Sequence, residues 1–404
     1  MATSMMKSLL RFHDRIRRMY LALDRPDMME FCELLPVDSS FPQLASLKIQ
    51  DRPDPLFWRL ELIERVPDIG TLLSRMPLLR SFEIGPLTGQ SDLQYRALPC
   101  RWEILTNISI QDFLTPTDLL GILAQSRALK TVESSLSISG PSFPSESSFP
   151  TAVLVNLTTL RLKISLNLYH GPFGIGREET ERRHSQCLVH ISAIISRIIC
   201  SSLKSLHVSI YSARPAIASS QLPIRSLPLH ELEILGLEMP MTPQAFTECL
   251  ELVPNLISFD FVNAGDTLED FHLVTLTPSS NNPLPLCPQL RHFRMMDRRT
   301  DAGSSHHWSI QNLTEFIAGR HKDKMLDSCD LFFPESPSFT EEQIQLLRKL
   351  KEDGLKLRVH HYRASQPEII TGYIDEPTSG LINHGHGPTS LSDMNDTFDT
   401  EIIV

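Results

Sequence analysis

Val253-Pro254-Asn255-Leu256-Ile257-Ser258-Phe259-Asp260-Phe261 decides how this chain is read. An apolar residue, a proline and any residue are followed by Leu-x-x-apolar-x-apolar. Cys287-Pro288-Gln289-Leu290 running to Met295, Phe41-Pro42-Gln43-Leu44 running to Ile49, and Met76-Pro77-Leu78-Leu79 running to Ile84 are further copies. The last three residues alternate, so the two final apolar side chains share one face of a strand. The proline fixes φ and lacks an N–H, which suits an entry into extended structure. The leading leucine closes that entry.

Without the proline, the core of the phrase recurs at Ile16, Leu105, Leu157, Leu203 and Leu232. The starts at 16, 44, 79, 105, 157, 203, 232, 256 and 290 are separated by 28, 35, 26, 52, 46, 29, 24 and 34 residues. A partial copy at Leu129-Lys130-Thr131-Val132 divides the longest interval into 24 and 28. This period matches leucine-rich repeats, each a strand plus a helical or irregular return. Between the strands lie helix-like stretches: Asp27 to Leu35, Pro67 to Ser74, Thr117 to Gln125, Leu188 to Cys200, Thr242 to Leu252, Trp308 to Ile317 and Thr340 to Asp353. Thr115, Thr242 and Thr340 open three of them as caps, the last in capping-box form with Gln343. Alternating strands and helices at this spacing predict parallel strands with right-handed returns.

Composition sets further bounds. The chain has 404 residues, 41% of them hydrophobic, and a net charge of −10. Seven acids and no Lys or Arg lie beyond Ala364, so the body is close to neutral, which argues against nucleic acid as a partner. Seven scattered cysteines without a CxxC pair read as reduced thiols of a cytoplasmic or nuclear protein. No apolar run is long enough to span a bilayer, so no membrane association is expected. The basic start, Lys7 to Leu23, reads as an exposed face of the first repeat rather than a targeting segment. Ser134 to Pro150, Ser165 to Gln186, Thr277 to Pro285 and Arg298 to His307 read as loops. Residues 1–363 are therefore expected to form the solenoid and 364–404 an acidic, disordered tail.

The phrases at Leu44, Leu79, Leu256 and Leu290, with the apolar helix face of Phe246 and Leu250 ahead of Pro254, resemble the degenerate leucine-rich-repeat part of fungal F-box proteins. The resemblance covers roughly residues 10–363 and implies an adaptor-docking F-box ahead of repeats that hold a substrate for ubiquitin ligation. It thus implies ubiquitin-ligase components among the partners. Repeat phrasing already begins at Ile16, and Leu35-Pro36-Val37-Asp38 runs straight into the strand after Leu44. The chain as given is therefore not expected to bind the adaptor, unless an F-box is missing from this gene model. The Asn or Cys expected three residues beyond the last strand leucine is also absent; Arg52, Leu87, Ala264 and Arg298 are among the residues there.

No constellation of residues points to catalysis. His306-His307, His360-His361 and His384-Gly385-His386 lack partners at ligand spacing, so no metal is expected. Gly171-Pro172-Phe173-Gly174-Ile175-Gly176 lacks the Lys-Ser/Thr of a phosphate loop, and no other cofactor motif is present. Neither a nucleophile elbow nor an HExxH motif occurs, so an enzyme on this α/β fold is the weaker alternative. The informative residues are those between the apolar positions, which point to the opposite side of the sheet. One per repeat gives Tyr20, Lys48, Glu83, Ser109, Arg161, His207, Gly236, Asp260 and Arg294. Repeat solenoids bind through such a row. The expectation is an α/β fold, a curved leucine-rich-repeat-like solenoid with a parallel inner sheet. It is expected to recognise a protein partner through Tyr20, Lys48, Glu83, Ser109, Arg161, His207, Asp260 and Arg294.

Overall fold

A computed structural model describes residues 7–8, 10–23, 25–34, 40–51, 69–85, 95–139, 149–167, 177–212, 218–263, 267–278, 285–297, 308–333 and 339–361. The expected tail at 364–404 and the loop at 298–307 lie outside them. The chain forms two compact units, Met1–Leu203 with Ser226–Pro228, and Lys204–Arg225 with Leu229–Val404.

In the first unit the strands are β1 (Arg18–Leu23), β2 (Ser46–Asp51), β3 (Ser81–Ile84), β4 (Asn107–Leu114), β5 (Thr131–Ser139) and β7 (Thr159–Asn167). They pair in this order and every pairing is parallel. A second small sheet joins β6 (Ala152–Val153) to β8 (Ile198–Ile199). The helices are α1 (Arg25–Leu34), α2 (Ile69–Ser74), α3 (Pro116–Gln125) and α4 (Arg177–Ser196). In the second unit β9 (Ser205–Ser212), β10 (Ile234–Glu238), β11 (Ser258–Asn263), β12 (His292–Asp297), β13 (Ser328–Phe333) and β14 (Lys356–His361) follow the same rule. They alternate with α5 (Pro243–Glu251), α6 (Asp270–Leu276), α7 (Ile310–Lys322) and α8 (Glu341–Glu352). The α/β, parallel, leucine-rich-repeat-like architecture is thus observed in both units.

The proline phrase now has a definite geometry. The N–H of each leading leucine returns to the residue three before it: Leu44 to Phe41 O (3.1 Å), Leu79 to Met76 O (3.3 Å), Leu256 to Val253 O (3.2 Å) and Leu290 to Cys287 O (3.0 Å). Proline is therefore the second residue of a β-turn, where its fixed φ is already correct. The residue after the leucine then offers one carbonyl to two N–H groups of the next strand. Arg80 and Ser81 both donate to Ala45 O, and Ile257 and Ser258 both donate to Glu233 O. This shared acceptor sets the register of each new strand against the last.

Register stacks the apolar positions in rows. In the first unit Met19, Leu47, Phe82, Ile108, Val132 and Leu160 are neighbours. In the second unit the row is Leu206, Leu235, Phe259, Phe293, Cys329 and Leu357. All are buried. Phe246 of α5 stacks on Phe261 (ring centroids 4.7 Å apart), and Phe316 of α7 meets Phe293 edge-on at 5.0 Å. Helices and strands thus share one aromatic core.

Several expectations are corrected. Ser134 to Ser139 is strand, not loop, because β5 pairs on both sides and its backbone groups are satisfied there. Ser165 to Asn167 continues β7, and α4 already begins at Arg177, so the expected loop at 165–186 is shorter. The helix expected to reach Cys200 ends at Ser196, because Ile198–Ile199 pairs with β6. Strands β13 and β14 and helix α6 extend the series beyond the sequence reading. No helix among the described residues is long and apolar enough to cross a membrane.

Candidate recognition face

Because side chains alternate along a strand, the residues between the apolar positions lie on the opposite side of the sheet. Register aligns Tyr20, Lys48, Glu83, Ser109, Glu133 and Arg161 on consecutive strands of the first unit. In the second unit it aligns His207, Gly236, Asp260, Arg294, Asp330 and Arg358. Tyr20, Lys48, Glu83, Ser109 and Arg161 therefore share one row, and His207, Asp260 and Arg294 share the other. Glu133, Asp330 and Arg358 are row members that sequence reasoning missed. Leu326-x-x-Cys329-x-Leu331 carries the phrase with cysteine in an apolar place, and that signal locates Asp330.

The rows are charge-balanced and cross-linked. Lys48 Nζ lies 2.5 Å from Glu83 Oε1 and 5.5 Å from the Tyr20 ring centroid. Tyr20 in turn donates its hydroxyl to Gln50 Oε1 at 2.5 Å. Arg358 grips Asp330 with two parallel bonds, Nε to Oδ1 at 2.7 Å and Nη2 to Oδ2 at 2.6 Å. Planar pairing of this kind fixes geometry as well as charge. The half-exposed Lys48–Glu83 pair contributes at most about 1 kcal/mol, so its value lies in pattern rather than stability.

One step further along the strands, the second unit changes character. Glu238, Val262, Met296, Phe332 and His360 are neighbours in register. All but Glu238 are buried. The Arg294 guanidinium sits 5.2 Å over the Phe332 ring, and His360 stacks on the same ring at 4.7 Å. His360, one of the paired histidines noted in the sequence, is thus packed against an aromatic. Its neighbour His361 ends β14, while His306, His307, His384 and His386 lie outside the described residues.

Opposite this face, at the strand exits, is a feature the expected Asn pattern overlooked. Asn263 stands two residues beyond Phe261 rather than three, and is fully buried. Its Nδ2 donates to Asp297 Oδ1 (3.1 Å), and its Oδ1 accepts the Leu268 N–H (3.4 Å). This is a local substitute for the expected Asn.

Five of the seven thiols, Cys187, Cys200, Cys249, Cys287 and Cys329, are buried. Burial pushes Cys187 and Cys200 up to about 11 and Cys249 up to about 12. Cys287 is likewise pushed up to about 12 by burial, against the opposing effect of Arg320. A thiol held protonated is a poor nucleophile and a poor ligand. Among the described residues no group of three His, Cys, Asp or Glu is placed to hold a metal. No protein-family model matches the chain, and no curated protein matches its sequence.

Proposed function

We propose that this chain is a protein–protein recognition module, of substrate-receptor or scaffold type, that binds through the polar rows of its parallel sheet. The observation that carries the reading is the alignment, in register, of side chains of mixed sign on consecutive strands. A balanced row offers a pattern rather than a net charge, which favours selectivity among partners over general attraction. Burial of Cys187, Cys200, Cys249, Cys287 and Cys329 argues against nucleophilic chemistry at those thiols. The finer reading, a receptor of the F-box type, rests on the proline-turn phrasing alone.

The test is affinity capture with the full chain and with two charge-reversed forms, Arg161→Glu and Asp260→Arg. Proteins held by the parent and released by either form support the reading. An identical set of captured proteins for all three overturns it. Recovery of cullin-ligase components in the parent set favours the F-box type, and their absence removes it.

A further inference from the structure

The residue after each leading residue marks the strand entry, and from Arg17 through Lys130 in the first unit its carbonyl goes to the next strand. In β1, β3 and β5 of the first unit that residue is Arg17, Arg80 and Lys130, all exposed. In β2, β4 and β7 it is Ala45, Thr106 and Thr158. Strands lie about 4.8 Å apart, so the three cations recur at intervals of about 10 Å along this edge. The hydroxyls of Thr106 and Thr158 donate to the carbonyls of Arg80 and Lys130 at 3.1 Å each, which holds the cationic positions from the neighbouring strand.

The same edge of the second unit is built differently. There Lys204 faces Glu231 (3.2 Å) and Glu233 (3.3 Å), and Arg291 faces Asp327 (3.3 Å). Each cation is neutralised by an acid at or beside the equivalent position of the adjacent strand. In the first unit those adjacent positions hold alanine or threonine. Arg17, Arg80 and Lys130 have no carboxylate partner among the described residues. The acids of the adjoining turns, Asp14 and Glu103, face Arg15 (4.0 Å) and Arg101 (3.0 Å) instead.

We infer that this strand-entry edge binds an extended acidic peptide segment of the partner protein. The inference rests on the recognition reading above and names the chemistry of what is recognised. A polyproline-II segment has three residues per turn and rises about 3.1 Å per residue, so acids at every third position recur at about 9 Å, near the interval of the cations. Nucleic acid fits less well. Basic and acidic residues are almost equal in number over this unit, and among the described residues no exposed aromatic alternates with the three cations as a stacking platform.

The experiment titrates the full-length chain into a fluorescein-labelled peptide of five Glu-Pro-Pro units and follows anisotropy at low ionic strength. Controls are the Gln-Pro-Pro peptide and an oligothymidylate of equal charge. Saturable binding that Arg80→Glu and Lys130→Glu each weaken by about tenfold or more, and Lys204→Glu leaves unchanged, supports the inference. Thermal melts of each variant verify folding, and Arg80→Gln replaces any form that melts early. Equal binding of the neutral peptide, no saturable binding, indifference to both substitutions, or tighter oligothymidylate binding lost with the same substitutions overturns it. The titration needs no natural partner, so it can fail while capture through Arg161 and Asp260 succeeds, or the reverse.

Discussion

Gly236 lies under the imidazole of His207, its register partner across the β9–β10 pair. A Cβ at 236 would fall on that ring. The gap in the row at β10 is therefore filled by the side chain of β9. Gly236→Ala should displace His207 and cost about 1–3 kcal/mol, as overpacking does. The added substitution His207→Ala should recover most of the loss. Denaturant unfolding of the single and double variants measures the coupling.

Phe259 is 1% exposed and stands in the aromatic row between Leu235 and Phe293. Phe259→Ala or Leu235→Ala should lower unfolding free energy by about 2–5 kcal/mol, through lost transfer energy and the cavity left behind. Equilibrium unfolding in urea is the measurement. A change under 1 kcal/mol would mean the row does not close-pack.

Arg320 is a fully buried cation bonded to carbonyls instead of a carboxylate. Its Nε donates to Leu276 O (2.7 Å), Nη2 to Leu286 O (2.6 Å), and Nη1 to Cys287 O (3.1 Å) and Leu290 O (3.4 Å). It ends α6 and ties down the turn before β12. Burial lowers its pKa to about 10. Arg320→Met should strand these acceptors and cost about 3 kcal/mol. Arg320→Lys should recover little, because one ammonium cannot span the fork. Thermal melts of the two variants should therefore nearly coincide.

Helix α7 closes with Lys324 N–H on His321 O (2.9 Å) and Met325 N–H on Arg320 O (2.9 Å). This places Lys324 at φ 55, a conformation that favours glycine. Helix α8 ends the same way, with Gly354 at φ 104 in the equivalent place. Lys324→Gly should accordingly raise stability by about 1 kcal/mol, read as a higher denaturation midpoint.

His272 accepts the Glu269 N–H at Nδ1 (3.0 Å), so Nε2 carries the proton and donates to Pro243 O (3.0 Å). Burial holds its pKa below the ordinary imidazole value. Protonation would set two donors against each other at Nδ1. Stability from this group should be complete above the unfolded imidazole pKa of about 6.5 and fall as pH drops through and below it. Unfolding at pH values on either side of about 6.5 should show the loss, and His272→Gln should flatten the slope by keeping an acceptor without a titration.

What could be read from the sequence follows from where the signal sits. The leading leucines and alternating pairs are local, so β1 to β5, β7 and β9 to β12 could be placed from them. Strands β13 and β14 escaped because Cys329 stands for an aliphatic, and because Leu355 precedes Leu357 by two residues rather than three. Ser134 and Ser135 read as loop by composition, yet they are buried in β5, held by pairing that no local pattern announces. Helix α6 is short, and its cap joins Glu269 to His272 rather than a Ser or Thr to an acid. The row of candidate binding residues was legible because strand alternation fixes a side chain's face. The pairs within it, such as Arg358 with Asp330, depend on register between strands distant in sequence.

The carbonyl that accepts two N–H groups at the entries of β2 to β5, β7 and β10 to β13 has a consequence for how such a chain can change. Up to β12, leading residues of strands paired within one unit are separated by as few as 24 and as many as 35 positions, yet strands meet in order within each unit. Alignment is restored afresh at each of these entries, so an insertion in one return is not inherited by the next strand. Lineages can therefore lengthen, shorten or replace the returns one at a time while the rows stay in step. Single-residue insertions directly after a leading leucine are the ones such a chain should not survive.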